Sequence, residues 1–288
     1  MSAVIPKWLL SLLAVATLFT VMSSVGLDIR VGEFRVVLQR PGLLLRGLVA
    51  TLVAVPALAI GISRALQLPR LEEIGVVLMA ISPGAPLALR NALGAGGHRG
   101  FAPGLQIAVA ALAVLSVPLS IAALDRVYAG SASITPWDVA KQVSVAQILP
   151  LGLGIAVRRA RPDLATSLEP ALARAGNVLL GLLLLAAGIE IWGGVLASGS
   201  RLAAAVAATT VSALAIGHLL GGPGPTTRTG VATTAATRNA GLALLVATLN
   251  AAAPTIRAAV LAYVAYSLPI VLSYLAWRRV QARRAPTG

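Results

Sequence analysis

The chain contains no cysteine, and its 288 residues include only two histidines, three phenylalanines, four tyrosines and four tryptophans. The absence of cysteine excludes disulfides, thiolate metal ligands and thiol nucleophiles. An aromatic content of 4% is too thin for stacking on nucleic-acid bases. His98 and His218 stand 120 residues apart, and neither belongs to a His-Glu-x-x-His zinc motif. There is no paired-aspartate cluster of the kind that holds magnesium, and no base recurs near a Ser or Thr nucleophile. The chain does not read as an enzyme. Charge is also scarce, at 11% of residues against roughly 25% in soluble domains.

Hydrophobic residues make up 58% of the sequence, and the mean hydropathy is +0.89. A soluble core cannot hide that much apolar surface, so the chain reads as an integral membrane protein. A spanning helix needs roughly 20 mainly apolar residues. Nine stretches qualify, at about 8–27, 43–66, 73–95, 102–124, 137–157, 177–198, 202–222, 229–251 and 254–277. Barrel strands alternate apolar and polar residues over about ten positions, whereas these runs are continuously apolar and rich in Leu and Ala. The fold class is all-α. The first run resembles a signal peptide only weakly, with Met22-Ser23-Ser24-Val25 a poor cleavage site, and is read as a retained helix.

The surplus of base, 23 Lys+Arg against nine Asp+Glu, is first a topology signal. Loops after the first, third, fifth and seventh runs, together with the carboxyl tail, hold 15 basic residues. The opposite side holds seven (Lys7, Arg64, Arg70, Arg126, Lys141, Arg201 and Arg257), and Arg238 lies inside a run. The positive-inside rule places the amino terminus outside and the carboxyl terminus in the cytoplasm, which an odd number of spans requires. Nucleic acid is not expected as a partner; the lipid bilayer is. Much Ala and Arg with only two Lys points to a GC-rich bacterial genome, hence to the cell inner membrane.

An internal repeat comes next. Gly84-Ala85-Pro86-Leu87-Ala88-Leu89 is echoed, four positions of six, by Asn239-Ala240-Gly241-Leu242-Ala243-Leu244 at an offset of 155 residues. The same offset carries the second run close to the seventh and the fourth close to the ninth. Five spans separate the copies, so they are inverted, as in many secondary transporters. Repeat one covers about 8–124 and repeat two about 137–277, within one transmembrane unit over 1–288. The echoed runs are also the most interrupted: Ser82-Pro83-Gly84-Ala85-Pro86 in one, Thr233, Thr234, Thr237, Arg238 and Asn239 in the other. Broken segments at matching positions of two halves point to a midplane binding site, because unwound backbone at that depth must line a cavity or be buried in protein.

These residues resemble the bile acid:sodium symporter family across nearly the whole chain. Gly26-Leu27-Asp28 followed by Phe34, Arg40 and Pro41 is similar to the segment closing that family's first common helix. Ile74-Gly75 through Ser82-Pro83-Gly84 resembles its first crossing helix, and Gln147-Ile148-Leu149-Pro150-Leu151-Gly152 the helix opening its second half. Arg238-Asn239 with Gly241-Leu242-Ala243 resembles its second crossing helix. The resemblance implies a nine-span member, with panel helices 8–27, 137–157 and 177–198 and core helices 43–66, 73–95, 102–124, 202–222, 229–251 and 254–277. It also implies secondary transport of an organic anion (bile-acid-like, carboxylate or sulfonate) by alternating access, in a monomer or homodimer, and usually with sodium.

The sequence departs from the family where that sodium is held. The family's Glu, Gly two positions on, and Gln-Asn correspond to Thr234, Ala236, Arg238 and Asn239. Its Pro-Gly-Gly and following Ser-Asn correspond to Pro83-Gly84-Ala85 and Ala88-Leu89, and its Gln five residues before a Pro to Thr51 before Pro56. No cofactor is expected, and sodium finds only Thr51, Thr234 and Asn239 as weak ligands. A charge at the middle of a span costs at least about 2.5–3.5 kcal/mol and marks function by default. Arg238 is expected to supply the positive charge that sodium supplies elsewhere, with an anionic substrate held by Arg238, Asn239, Thr234, Thr237, Pro83, Gly84 and Ala85. The alternative for Arg238 is an internal ion pair or a helix-terminus contact. Sodium coupling through other ligands, a proton- or potential-driven exporter and, more distantly, a channel also stay open.

Other polar residues in the runs have ordinary explanations. His218 and Gln147 fit helix–helix hydrogen bonds, and Gln106 and Ser116 could help line a cavity. Thr233, Thr234 and Thr237 can bond their own helix backbone. Glu190, the one carboxylate well inside a run, is a candidate proton carrier. If it carries protons, Glu190→Gln flattens the pH dependence of uptake; transport indifferent to pH and to that substitution removes the assignment.

Overall fold

A computed structural model describes residues 6–29, 36–127, 136–197, 199–250 and 252–284. All regular structure among them is helical: α1 (Lys7–Asp28), α2 (Pro41–Ala65), α3 (Arg70–Ala80), α4 (Pro86–Gly94), α5 (Phe101–Val127), α6 (Pro136–Ala160), α7 (Pro162–Ala197), α8 (Ser200–Leu220), α9 (Pro225–Ala236), α10 (Ala240–Leu249) and α11 (Pro254–Arg284). Seven of them (α1, α2, α5, α6, α7, α8 and α11) are long and apolar enough to cross a membrane. The other four form two interrupted pairs, α3/α4 and α9/α10, within the interrupted runs at 73–95 and 229–251.

The interruptions have local causes of different strength. Between α3 and α4, Pro83 and Pro86 remove backbone donors, and Gly84 turns at φ +80°, a left-handed value that favours glycine. Between α9 and α10 there is neither Pro nor Gly at 237–239. There Thr237 is extended, and the Asn239 side chain accepts from the Leu242 amide, capping α10. Shifted by the 155-residue offset of the sequence echo, 82–84 falls on 237–239.

Proline also shapes α2 and α6. Each contains one π-turn, Ala50–Ala54 and Ser144–Ile148, just ahead of Pro56 and Pro150. A π-turn widens the helix where a proline cannot take the normal bond.

Two helices run further than their apolar stretches. α7 starts at Pro162 instead of about 177, with Pro at its first position and Asp163 in its first turn. Its 36 residues make a rod of about 54 Å, longer than the roughly 30 Å hydrocarbon layer. The charges that read as loop (Asp163, Glu169 and Arg174) sit on that extension. α11 continues to Arg284, so the arginines of the supposed tail are helical, and Arg278 is buried, bonding Thr229 Oγ1 and the Pro225 carbonyl.

Helices α1, α6 and α7 pack on one another, and the rest gather around α8, α9 and α11. Small residues set the close approaches, as is usual where helices associate in lipid. A Cβ on Gly154 in α6 would lie 2.5 Å from the Ser23 carbonyl of α1, and one on Gly26 would strike the Leu151 carbonyl. Nothing lies within 4 Å of a Cβ on Gly152, one turn-fraction away in the same helix. Gly154→Val should therefore cost about 1–3 kcal/mol by overpacking and lower the unfolding temperature in detergent, while Gly152→Val leaves it nearly unchanged.

Candidate functional site

The two interruptions touch. The Asn239 amide donates to the Ser82 carbonyl at 2.9 Å, joining the turn after α9 to the turn after α3. Gln106 on α5 steadies the first turn, its Nε2 donating to the Ala85 carbonyl at 3.0 Å. Gly217 on α8 allows α9 to lie close, since a Cβ there would sit 2.5 Å from Ala232 Cα.

Arg238 lies at this junction and is 6% exposed. Its Nη1 donates to the Thr51 carbonyl at 3.0 Å and to the Ala80 carbonyl at 2.9 Å. Both acceptors are carbonyls that the helices themselves cannot satisfy. In the π-turn, the Val55 amide bonds Ala50 five residues back. The same pattern would pair Thr51 with residue 56, which is proline and has no N–H. Ala80 ends α3, and the last four carbonyls of any helix lack intrahelical donors. That helix end also carries partial negative charge, which favours a cation. Two prolines and one helix end thus create the acceptors that position the guanidinium.

The other edge of the guanidinium is free. Nε and Nη2 are buried and donate to no acceptor among the described residues. No carboxylate there lies within ion-pair distance of Arg238. Nε–H and one N–H of Nη2 form a planar fork that matches the two oxygens of a carboxylate.

Arg238 also borders a cavity of about 140 Å³. On one side it is bounded by Val21 of α1 and Asn177, Leu180 and Leu184 of α7; on the other by Ala85, Thr237, Arg238 and Asn239 of the two turns; Ser267 on α11 completes the wall. The Thr237 hydroxyl and Asn239 Nδ2 are buried without partners among the described residues. The cavity therefore lies between the α1/α6/α7 group and the interrupted helices.

The structure gathers some of the residues singled out from sequence and separates others. Arg238, Asn239, Thr237 and Ala85 share the cavity wall. Pro83 and Gly84 are buried behind it, and Gly84 packs on Ala110, 3.4 Å from its Cβ position. Thr234 is buried within α9 and does not line the cavity. Thr51 meets Arg238 through its carbonyl, while its hydroxyl stays unpartnered. The side chain of Glu190 lies outside the described residues. His218 makes the interhelical contact expected of it, Nδ1 to Tyr274 Oη at 3.1 Å. Gln147 does not: both its amide atoms are buried in the second π-turn without a partner.

Sequence reasoning missed Asn91, Asn177 and Ser267 as wall residues. Asn177 had a usable signal, a lone amide ahead of the apolar run 178–187. Asn91 and Ser267 had none beyond polarity.

A bundle of membrane-length helices with two broken, touching segments around a polar-edged cavity is the form of a membrane transporter. The sequence profile of the sodium bile acid symporter family matches residues 15–197. That is more than half of the chain, and the chain belongs to this family. The matched stretch takes in α3/α4 and ends before α9/α10 and Arg238. No curated protein matches the chain.

The Asn239 cap is a separable part of this geometry. Asn239→Ala should remove about 1 kcal/mol through loss of the bond from the Leu242 amide, and Asn239→Asp should recover most of it, as read by thermal unfolding.

Proposed function

We propose that the protein is a nine-crossing secondary transporter of a small organic anion, in which Arg238 replaces a bound cation. The seven long helices and the two interrupted pairs make the crossings. The 82–84 and 237–239 turns are equivalent parts of inverted repeats. Helices α1, α6 and α7 form the panel, the others form the core, and the core moves against the panel. The amino terminus is outside and the carboxyl terminus cytoplasmic, in the inner membrane of a bacterium.

One observation carries this reading: a guanidinium held by Nη1 on the Thr51 and Ala80 carbonyls, whose Nε and Nη2 are buried without an acceptor among the described residues, in a side chain that borders the cavity. A buried charge without a counter-charge is costly. An anionic substrate supplies the counter-charge, and the fork gives it two parallel hydrogen bonds. The Thr237 hydroxyl and Asn239 Nδ2 offer further donors. Sodium is disfavoured by the same contacts, because Nη1 already occupies two carbonyls that could ligate an ion and repels any cation beside it. Proton coupling through Glu190 is a separate addition to this scheme.

The cavity limits substrate size. Pockets for drug-sized ligands run about 300–1,000 Å³, and an engineered cavity of about 150 Å³ holds benzene. At about 140 Å³, this conformation suits a short carboxylate or sulfonate and excludes a sterol-sized body.

Uptake into proteoliposomes should proceed equally well when sodium is replaced by potassium; strict dependence on the sodium gradient overturns the proposal. In a thermal-shift screen, small carboxylates and sulfonates should raise the unfolding temperature of the unmodified protein and leave Arg238→Ala unmoved. Arg238→Lys keeps the charge but loses the fork, and should bind about tenfold or more weakly.

A further inference from the structure

Among the described residues, two polar side-chain contacts tie the α1/α6/α7 group to the interrupted helices. In the first, Arg90 Nη2 on α4 lies 3.2 Å from Glu169 Oε1 on α7. Ser24 on α1 donates to the same carboxylate oxygen, also at 3.2 Å. In the second, Asn250, just after α10, donates through Nδ2 to Gln142 Oε1 on α6 at 3.0 Å. If the nine segments alternate in direction, α4 and α10 leave the junction towards opposite faces. Arg90 and Glu169 then lie at the face with the basic loops, and Gln142 and Asn250 at the other.

The first contact borders a space adjoining the cavity. A smaller space of about 30 Å³, bounded by Arg90, Glu169 and Ser24, shares Val21, Leu87 and Asn177 with the central cavity. A space of that size admits water but no organic anion while the pair is closed. The side chains are 47% and 21% exposed. Ion pairs at such wetted positions are weak, which suits a contact broken once in every cycle. When it parts, Arg90 presents a free guanidinium to an anion leaving the cavity.

We propose that Arg90–Glu169 is a charged latch closing the cavity towards the basic-loop face, and that Gln142–Asn250 is its uncharged counterpart on the opposite face, the two opening in alternation. This rests on the carrier reading above but not on Arg238 as the anion site. The native chain has no cysteine, so Ser267→Cys places a single, nearly isosteric probe in the cavity wall. The reagent is sulfonatoethyl methanethiosulfonate, a membrane-impermeant anion, applied to one face at a time in inside-out and right-side-out vesicles.

Adding Glu169→Gln should raise the labelling rate from the basic-loop face by about three- to fivefold, the size expected for release of an exposed pair. Asn250→Ala should raise it from the other face only. Reversing the charges, Arg90→Glu with Glu169→Arg, should return the rate to near its starting value. A rate indifferent to Glu169→Gln, or one that the reversed pair fails to restore, overturns the latch. Labelling needs neither substrate nor ion. Normal uptake with indifferent labelling therefore sinks the latch alone, whereas responsive labelling with uptake unaffected by Arg238→Ala supports the latch and sinks the anion site.

Discussion

Arg238 Nη1 links three pieces of chain: the π-turn of α2, the end of α3 and the turn between α9 and α10. Each piece brings a defect. Pro56 strands a carbonyl, α3 stops before Pro83, and 237–239 leaves the helical conformation with no proline to force it. One cationic donor answers two stranded acceptors, and the Asn239 amide answers another at Ser82. Buried backbone oxygens need such partners, since each one left unpaired costs about as much as a lost hydrogen bond. The junction is thus a set of mutual repairs, and the cavity is the space beside it.

On the proposed reading, the same interaction takes the place of a bound cation. Clustered carbonyl oxygens at helix breaks are a natural place for a hard monovalent ion. Here a covalently attached cation occupies two of them. An attached charge does not dissociate or follow a gradient, and it cannot be repositioned without moving the turn that carries it. Its remaining donors are geometrically fixed, which favours planar two-oxygen acceptors over spherical ones. The family profile covers α1 through α7 and not this turn, so membership of the sodium bile acid symporter family does not by itself settle what occupies the junction.

Close packing of small residues brings helix backbones into contact within each group. Gly26 and Gly154 bring the α1 and α6 backbones into contact, and Gly217 does the same for α8 and α9. Between the groups α7 packs on α11, α1 on α10 and α5 on α6 through a shared apolar cluster, and the cavity, the Arg90–Glu169 pair and the Gln142–Asn250 bond lie along the same seam.

The sequence by itself determined the all-helical, membrane-length architecture, because hydropathy and run length are local properties. It also located both interruptions, through Pro83-Gly84 in one case and a cluster of polar residues in the other, and singled out Arg238 as a charge in an apolar run. Only tertiary structure decided what Arg238 bonds. A carbonyl stranded by Pro56 is visible in the sequence as a possibility, but which donor reaches it depends on how α2, α3 and α9 pack. The same holds for Asn177, ordinary in its own helix and significant only because α7 faces the two turns across the cavity. The ends of α7 and α11 were misjudged for a related reason: apolar runs report where a helix can sit in lipid, whereas capping, backbone bonding and burial of residues such as Arg278 decide where it stops.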